Sequence, residues 1–395
     1  MLEGVTVLSA EVYLAGPYGS RLLQDLGADV IKIENTDGGD TYRYMNHEYD
    51  VEGTDDFTYR FLQYNRGKES VSLNLKDERG AKIFKELAKD ADVVMENLRP
   101  GSMKRFGLGY DDIKAVNEEI IYCSISGFGA TGPYRDRAAV DTIIQAMSGL
   151  VAQNAADAGE PALTGIYIAD MVGGMYAAMS VLSALASKTH RRTYIDVSMM
   201  DSLVSMLGHE AAEYSARGTA EPRIKSTLVP QGVYGTGDGA IAINILDADW
   251  PTFCEILGLE VWIDSERFGD PMSRQRNEAA LDERLEEVFS TESTAYWADR
   301  LLDAGIMAAP VQTVEEVFED EQVTHRELLR KGHNEDIGDY VEIDFPAKFS
   351  NFETTSEGSH RLGEDTVARL EQLGYSPEEI EALRDQGVVK SATER

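Results

Sequence analysis

The stretch Val5-Thr-Val-Leu-Ser-Ala-Glu-Val-Tyr-Leu-Ala-Gly-Pro-Tyr-Gly-Ser-Arg-Leu-Leu-Gln-Asp-Leu-Gly-Ala-Asp-Val-Ile-Lys-Ile-Glu34 contains one complete strand–helix–strand cycle. Residues 5–8 form a short apolar run, and Gly16-Pro17 opens a helical pattern that stops near Gly27. A second apolar strand follows over 28–34. Proline suits a first helical turn because it lacks the N–H that is unpaired there, and glycine suits the position just past a helix end. Outward from this unit the alternation continues, with strands over 70–75, 92–96 and 120–126 and helices over 77–89 and 110–116. Strands separated by helices predict right-handed crossovers and a mostly parallel sheet. The expected fold class is α/β.

Further along, residues 141–150 predict a helix, 152–160 a polar connection, 169–187 a buried helix, 193–197 a strand and 199–214 another helix. After Arg217 the texture changes: 233–234 and 240–245 suggest a hairpin, and 250–257, 278–289 and 294–304 suggest helices. They predict a small α+β domain over 225–310, flanked by linkers at 206–224 and 311–330. The large domain is then built from 1–205 and 331–395. A chain of 395 residues is long enough for this division. Helices over 366–372 and 376–386 close it, the second opened by the capping box Ser376-Pro-Glu-Glu379.

The charge balance is 37 basic against 70 acidic residues, a net −33. Such a surface repels a nucleic-acid backbone or an anionic membrane, so neither is an expected partner. Only 13 of the cations are Lys against 24 Arg, and acid is spread over the whole chain. Salt-rich surroundings screen this self-repulsion, which points to a halophilic source. Two cysteines, Cys123 and Cys254, make neither a disulfide framework nor a cysteine metal site. Met1-Leu2-Glu3 has no basic segment before an apolar run, and the longest apolar stretch, 171–187, is shorter than a bilayer requires. The expected location is cytoplasmic.

Gly127-Phe-Gly129-Ala-Thr-Gly132 matches a dinucleotide fingerprint and follows a predicted strand. Pro133 and a charged Tyr134-Arg-Asp-Arg137 follow, so no helix opens where a pyrophosphate would need one, and the run reads as a glycine turn. There is no phosphate-binding G-x-x-x-x-G-K-[ST] loop, no G-x-S-x-G elbow and no histidine pair at metal-ligand spacing. No metal or cofactor is expected. Asp170 stands out as a lone carboxylate between the apolar runs of Gly165-Ile-Tyr-Ile-Ala-Asp170-Met-Val-Gly173-Gly174. It reads as a helix N-cap, since Asp is favoured there, and equally as a poorly solvated nucleophile or proton acceptor. Gly173 and Gly174 beside it suggest room for a thioester to approach the backbone.

The chain resembles the class III CoA-transferases, whose relatives include formyl-CoA:oxalate, carnitine and mesaconyl-CoA transferases and α-methylacyl-CoA racemase. The resemblance spans nearly the whole length. It is carried by Ala15-Gly-Pro17, Leu26-Gly-Ala-Asp-Val-Ile-Lys-Ile-Glu34, Asn65-Arg-Gly-Lys68, Ser72-Leu-Asn-Leu-Lys76 and Asp92-Val-Val-Met-Glu-Asn-Leu-Arg-Pro-Gly101. Ser126-Gly-Phe-Gly-Ala-Thr-Gly-Pro133, Ala169-Asp170, Asp196-Val-Ser-Met-Met-Asp201, Pro310-Val-Gln312 and Gly387-Val-Val389 complete it. The resemblance implies a Rossmann-like large domain, a small domain and an interlocked homodimer. It implies Asp170 as the catalytic nucleophile and Ala15, Leu73, Lys76, Asn97 and Arg105 as coenzyme A contacts. The implied substrates are an acyl-CoA and a free carboxylic acid, with aspartyl anhydride and aspartyl-CoA thioester intermediates.

Two departures from the family pattern stand out. Leu14 occupies the place of a glutamine found before the Ala-Gly-Pro turn in some members, and no glycine run occurs at 225–229. The racemase branch resembles this chain less, because Val140 and Gly232 stand where its second acid/base groups would be, and shuttling a proton across a carbon needs a base on each face. A non-catalytic acyl-CoA-binding subunit would keep the coenzyme A contacts and have no need of Asp170. Arg43, Arg66, Arg135 and Arg137 flank expected site loops and are candidates to read a distal carboxylate. A succinyl-CoA to mesaconate transfer, or its intramolecular mesaconyl-CoA variant, is the specific reaction expected by analogy.

Overall fold

The computed structural model of the chain describes residues 1–45, 56–158, 160–187, 192–219, 228–354 and 358–392. It divides into two compact units, Met1–Arg223 with Glu327–Arg395, and Ile224–Arg326.

The first unit begins with β1 (Thr6–Ala10), α1 (Ala15–Asp25), β2 (Asp29–Glu34), α2 (Tyr59–Asn65), β3 (Glu69–Leu73) and α3 (Glu78–Ala88). It continues with β4 (Val93–Glu96), α4 (Ser102–Arg105), α5 (Tyr110–Lys114), β5 (Ile121–Ser126), α6 (Asp141–Ser148), α7 (Leu150–Ala158) and α8 (Ile168–Ala186). β6 (Thr193–Ser198), α9 (Met199–Val204) and α10 (Gly208–Arg217) follow. The second unit holds β7 (Gln231–Gly235), β8 (Ala240–Asn244), α11 (Trp250–Leu257), α12 (Pro271–Arg276), α13 (Glu278–Phe289), α14 (Thr294–Asp303), β9 (Met307–Pro310), α15 (Val314–Glu319) and α16 (Glu321–His325). The chain re-enters the first unit with β10 (Leu329–Asn334), β11 (Gly338–Ile343), α17 (Thr366–Gln372), α18 (Pro377–Asp385) and β12 (Val389–Lys390).

The main sheet has the order β12-β3-β2-β1-β4-β5-β6. Its first six strands are parallel and β12 closes the edge antiparallel. Neighbouring residues of a strand serve opposite cores. Leu8, Ile31 and Val94 pack on one face, and Val7, Val30 and Val93 on the other. Two-sided burial is why these strands read as continuous apolar runs rather than alternating ones. The strand order reverses at β1, which pairs with β2 on one side and β4 on the other. At such a reversal the loops leaving the carboxyl ends diverge and open a crevice for ligands.

Helix α8 is long and apolar enough to cross a membrane by length and composition. Here Val172, Gly173, Ala177, Val181 and Ala184 instead lie buried in the core shared with α1, α9, β5 and β6.

Three sequence expectations are corrected. The polar connection expected over 152–160 is α7, because Gly149 (φ 96°) ends α6 in the left-handed region and the chain restarts as a helix at once. The single helix expected over 199–214 is broken after Val204 into α9 and α10. Within 311–330, expected as a linker, α15 starts at a capping box formed by Thr313 and Glu316. In the second unit β7, β8 and β9 form an antiparallel sheet, with Pro310 ending the edge strand, where its missing N–H is tolerated.

Candidate active site

Asp170 is the third residue of α8. The N-cap is Tyr167, which offers no capping side chain, so the N-cap reading of Asp170 is corrected. A different carboxylate satisfies the helix start. Asp141, the first residue of α6, accepts from Ala169 N–H at 2.7 Å and from Asp170 N–H at 3.4 Å through Oδ1. Its Oδ2 accepts from Gln145 Nε2 at 2.6 Å, and Gln145 Oε1 accepts from Thr164 N–H at 3.0 Å. Because another residue meets the backbone donors, the Asp170 side chain is not consumed as a cap. Burial first, and then the Asp141 charge, push its carboxyl up to about 7. Asp170 remains half-buried, so a substrate can reach it.

The wall near Asp170 is aromatic. Tyr18 and Tyr64 meet edge to face with centroids 6.2 Å apart, and Tyr42 and Tyr64 lie 6.4 Å apart. Burial, then the Asp170 charge, raise the Tyr42 phenol above its ordinary range. Tyr42 and Tyr64 therefore stay neutral and keep their O–H groups as potential donors.

Gly173 and Gly174 do not open a path for a thioester. A Cβ on Gly174 would lie 2.6 Å from the Ala15 carbonyl oxygen and 3.1 Å from Gly19 N, and one on Gly173 would lie 3.0 Å from Met199 Cγ. They allow α8 to lie against α1 and α9, and so bring Asp170 within one helical turn of Ala15.

The other expected site residues sit on loops at the carboxyl edge of the sheet. Ala15 is the buried first residue of α1, after β1. Asn97, just past β4, clamps the loop across the strand-order reversal. Its Oδ1 accepts from Val12 N–H and its Nδ2 donates to Val12 O, both at 2.8 Å. Leu73 is the buried end of β3, and Lys76 is exposed in the turn before α3. Arg105 is exposed on α4 and donates to Ser102 Oγ at 2.8 Å. Ala15 and Asn97 share one turn, since a Cβ on Gly16 would lie 2.9 Å from Asn97 Cγ. Leu73, Lys76 and Arg105 lie at the end of β3, in the turn after it and on α4, and none has a hydrogen bond or ion pair with Asp170 among the described residues.

Two of the four arginines proposed as carboxylate readers are already engaged. Buried Arg43 forks onto Glu34 at 2.8 and 2.6 Å, and buried Arg66 reaches both oxygens of Asp25 at 2.9 and 3.0 Å. Arg135 pairs with adjacent Asp136, and Arg137 stacks 3.7 Å over Tyr134.

The sequence reading missed Asp141, whose partner lies 28 residues away, and a buried ionic layer under the β1–α1 loop. There Lys68 Nζ meets Glu11 at 2.8 Å and the Pro17 carbonyl at 2.9 Å, and Lys32 Nζ meets Asp40 at 2.8 Å and the Glu11 carbonyl at 3.0 Å. Burial would raise the Glu11 carboxyl, but Lys68 and Lys32 outweigh it and hold it low. The same layer supports Tyr13, which has φ 64° and donates its N–H to Asp40 at 3.1 Å. Glycine loop 127–132 opens no helix. Ala130 N–H is bound by both oxygens of Asp196, at 3.0 and 2.9 Å, and that carboxylate would repel a pyrophosphate.

The first unit is thus a mostly parallel sheet flanked on both faces, with the half-buried Asp170 carboxyl on the helix that packs against α1 beside the strand-order reversal. The family model for CoA-transferase family III matches residues 2–366, and the chain belongs to that family. It is 35% identical over 398 residues to human succinyl-CoA:glutarate CoA-transferase, covering 98% of this chain and 90% of that one. It is 35% identical over 375 residues to the acetyl-CoA:oxalate CoA-transferase of Acetobacter aceti, covering 93% and 94%. A CAIB/BAIF family protein from Brucella suis has the same fold, with TM-score 0.85, 32% identity and coverage of 94% and 99%. The protein is thus a CoA-transferase acting on acyl-CoA and carboxylic acids.

Proposed function

We propose that Asp170 is the nucleophile of a CoA exchange between succinyl-CoA and a free dicarboxylic acid, with mesaconate or glutarate as acceptor. The observation that carries this is the half-buried Asp170 carboxyl, pushed up to about 7 and relieved of capping duty by Asp141.

One carboxylate oxygen attacks the thioester carbonyl carbon. A C–O bond forms, the C–S bond breaks, and CoA leaves as thiolate with the electron pair. The thiolate then attacks the Asp170 acyl carbon of the mixed anhydride, expelling succinate and leaving an aspartyl-CoA thioester. The acceptor carboxylate repeats both steps in reverse. No proton or cofactor is required, because thioester energy passes through covalent intermediates. The anhydride must be kept from water. Neutral Tyr42 and Tyr64 suit this task, supplying hydrogen-bond donors without a base that would activate water. Ala15 and Asn97, with Leu73, Lys76 and Arg105, hold coenzyme A along the carboxyl edge of the sheet. Lys76 and Arg105, both exposed cations, suit its phosphates.

The active form is an interlocked homodimer. Exposed Met175, Met179, Val204, Met206 and Tyr214 on α8, α9, α10 and the turn between α9 and α10 supply apolar surface that a second copy would cover.

Mass spectrometry of CoA thioesters in molar KCl tests the function. Succinyl-CoA is supplied with mesaconate, glutarate, malate, citramalate, oxalate or carnitine. One new thioester with stoichiometric succinate supports the assignment, and turnover retained by Asp170→Ala overturns it.

A further inference from the structure

In a chain of net charge −33, a dianionic acid needs a local cation in the site that receives it. Within the first unit the buried and half-buried guanidinium groups are almost all engaged. Arg21 and Arg66 pair with Asp25, Arg43 with Glu34, Arg361 with Asp336, and Arg369 with Glu69. Arg330 pairs with Asp344.

Arg60 is different. It is half-buried on the first turn of α2 and has no hydrogen bond, ion pair or ring beneath it among the described residues. Helix stability does not account for it either, since a cation there faces the positive end of the helix dipole.

Its position points to the reacting centre. Tyr64, four residues on, lies on the same face of α2. Tyr64 packs against Tyr42 and Tyr18, and Tyr18 Cδ1 is 3.1 Å from where a Cβ of Gly174 would be, one turn beyond Asp170. The positive charge of Arg60 and the negative charge of Asp170 both act on the Tyr42 and Tyr64 phenols.

We propose that Arg60 is a specificity-determining residue: it receives the second carboxylate of a dicarboxylic acid whose first carboxylate exchanges CoA at Asp170. This rests on the transferase reading given above. A guanidinium binds a carboxylate through two parallel N–H donors, and a site with an unpaired cation disfavours an acid that lacks the second charge. The neutral Tyr42 and Tyr64 hydroxyls add donors beside it.

The test measures kcat and KM for glutarate and for butyrate as acceptors from succinyl-CoA, in the parent protein, Arg60→Gln and Arg60→Lys. The expected result is a parent that prefers glutarate. In Arg60→Gln the KM for glutarate rises at least about tenfold more than that for butyrate, while kcat changes less. Arg60→Lys, which keeps the charge and covers a Gln variant that fails to fold, falls between. Equal losses on both acids, or a parent preferring butyrate, overturn the assignment while leaving Asp170 transfer standing. Absence of any thioester product with the folded parent overturns the transferase reading and this assignment with it.

Discussion

Asp141 and Asp170 are joined through the start of α8: Asp141 Oδ1 holds the Ala169 and Asp170 amides, at 2.7 and 3.4 Å, while its charge raises the Asp170 carboxyl. One carboxylate thus positions another and makes it more basic. A helix N-terminus alone would lower the pKa of an acid in its first turn. Burial and Asp141 override that tendency.

The pH profile should report this pair. Transfer needs ionised Asp170, so the acidic limb of kcat/KM in the parent is expected near its raised value of about 7. Asp141→Asn keeps an oxygen for the amides but removes the charge, and should move that limb to lower pH. A limb that does not move would show that Asp141 acts only as a cap.

Stability should respond with the opposite sign. The folded carboxyl of Asp170 titrates above its unfolded value, so its stabilising contribution is full below about pH 4 and is lost as pH rises through about 7. Asp170→Asn should therefore raise the melting temperature more at pH 8 than at pH 5. The gain is on the order of 2 kcal/mol at most, once partial solvent access is discounted. Thermal melts of both proteins at the two pH values check this.

The two adjacent glycines of α8 should differ. Gly174→Ala drives a Cβ toward backbone at Ala15 and Gly19, and overpacking of this kind costs about 1–3 kcal/mol. It should also raise KM for acyl-CoA by moving the β1–α1 loop. Gly173→Ala comes closest to Met199 Cγ, at 3.0 Å, with the Met199 backbone at an ordinary 3.8 Å, and should cost less than Gly174→Ala, about 1 kcal/mol. Denaturant melts with steady-state kinetics separate the two.

Lys68→Met should destabilise by about 3–5 kcal/mol, because it removes the ion-pair partner of buried Glu11 and leaves that carboxylate only Ser20 Oγ and the more distant Lys32 charge. Adding Glu11→Leu should recover much of the loss, since two apolar groups need no partner. Urea titrations of both single variants and the double variant close the cycle.

Much of the fold was legible because it follows local rules. The apolar runs at Val7-Leu8, Val30-Ile31 and Val93-Val94 marked strands buried on both faces, and Gly27 and the Ser376 capping box marked helix ends. Asp170 was visible as a lone carboxylate in apolar sequence. Its rank as a nucleophile came from the resemblance, not from its spacing. The break after Val204 was missed, and α7 was missed because its polar residues read as a connection.

What the sequence by itself determined is therefore the order of strands and helices, the acidic surface and the type of chemistry. Tertiary structure decided which charges remain available for that chemistry. Arg43 and Arg66 look like site cations in the sequence, but the fold buries them against Glu34 and Asp25. Arg60 looks like an ordinary helix arginine, yet among the described residues it has no partner, and its charge acts on Tyr42 and Tyr64. The physical reason is distance: helix and strand preferences act over a few residues, whereas ion pairing, burial and pKa depend on groups that only chain folding brings together.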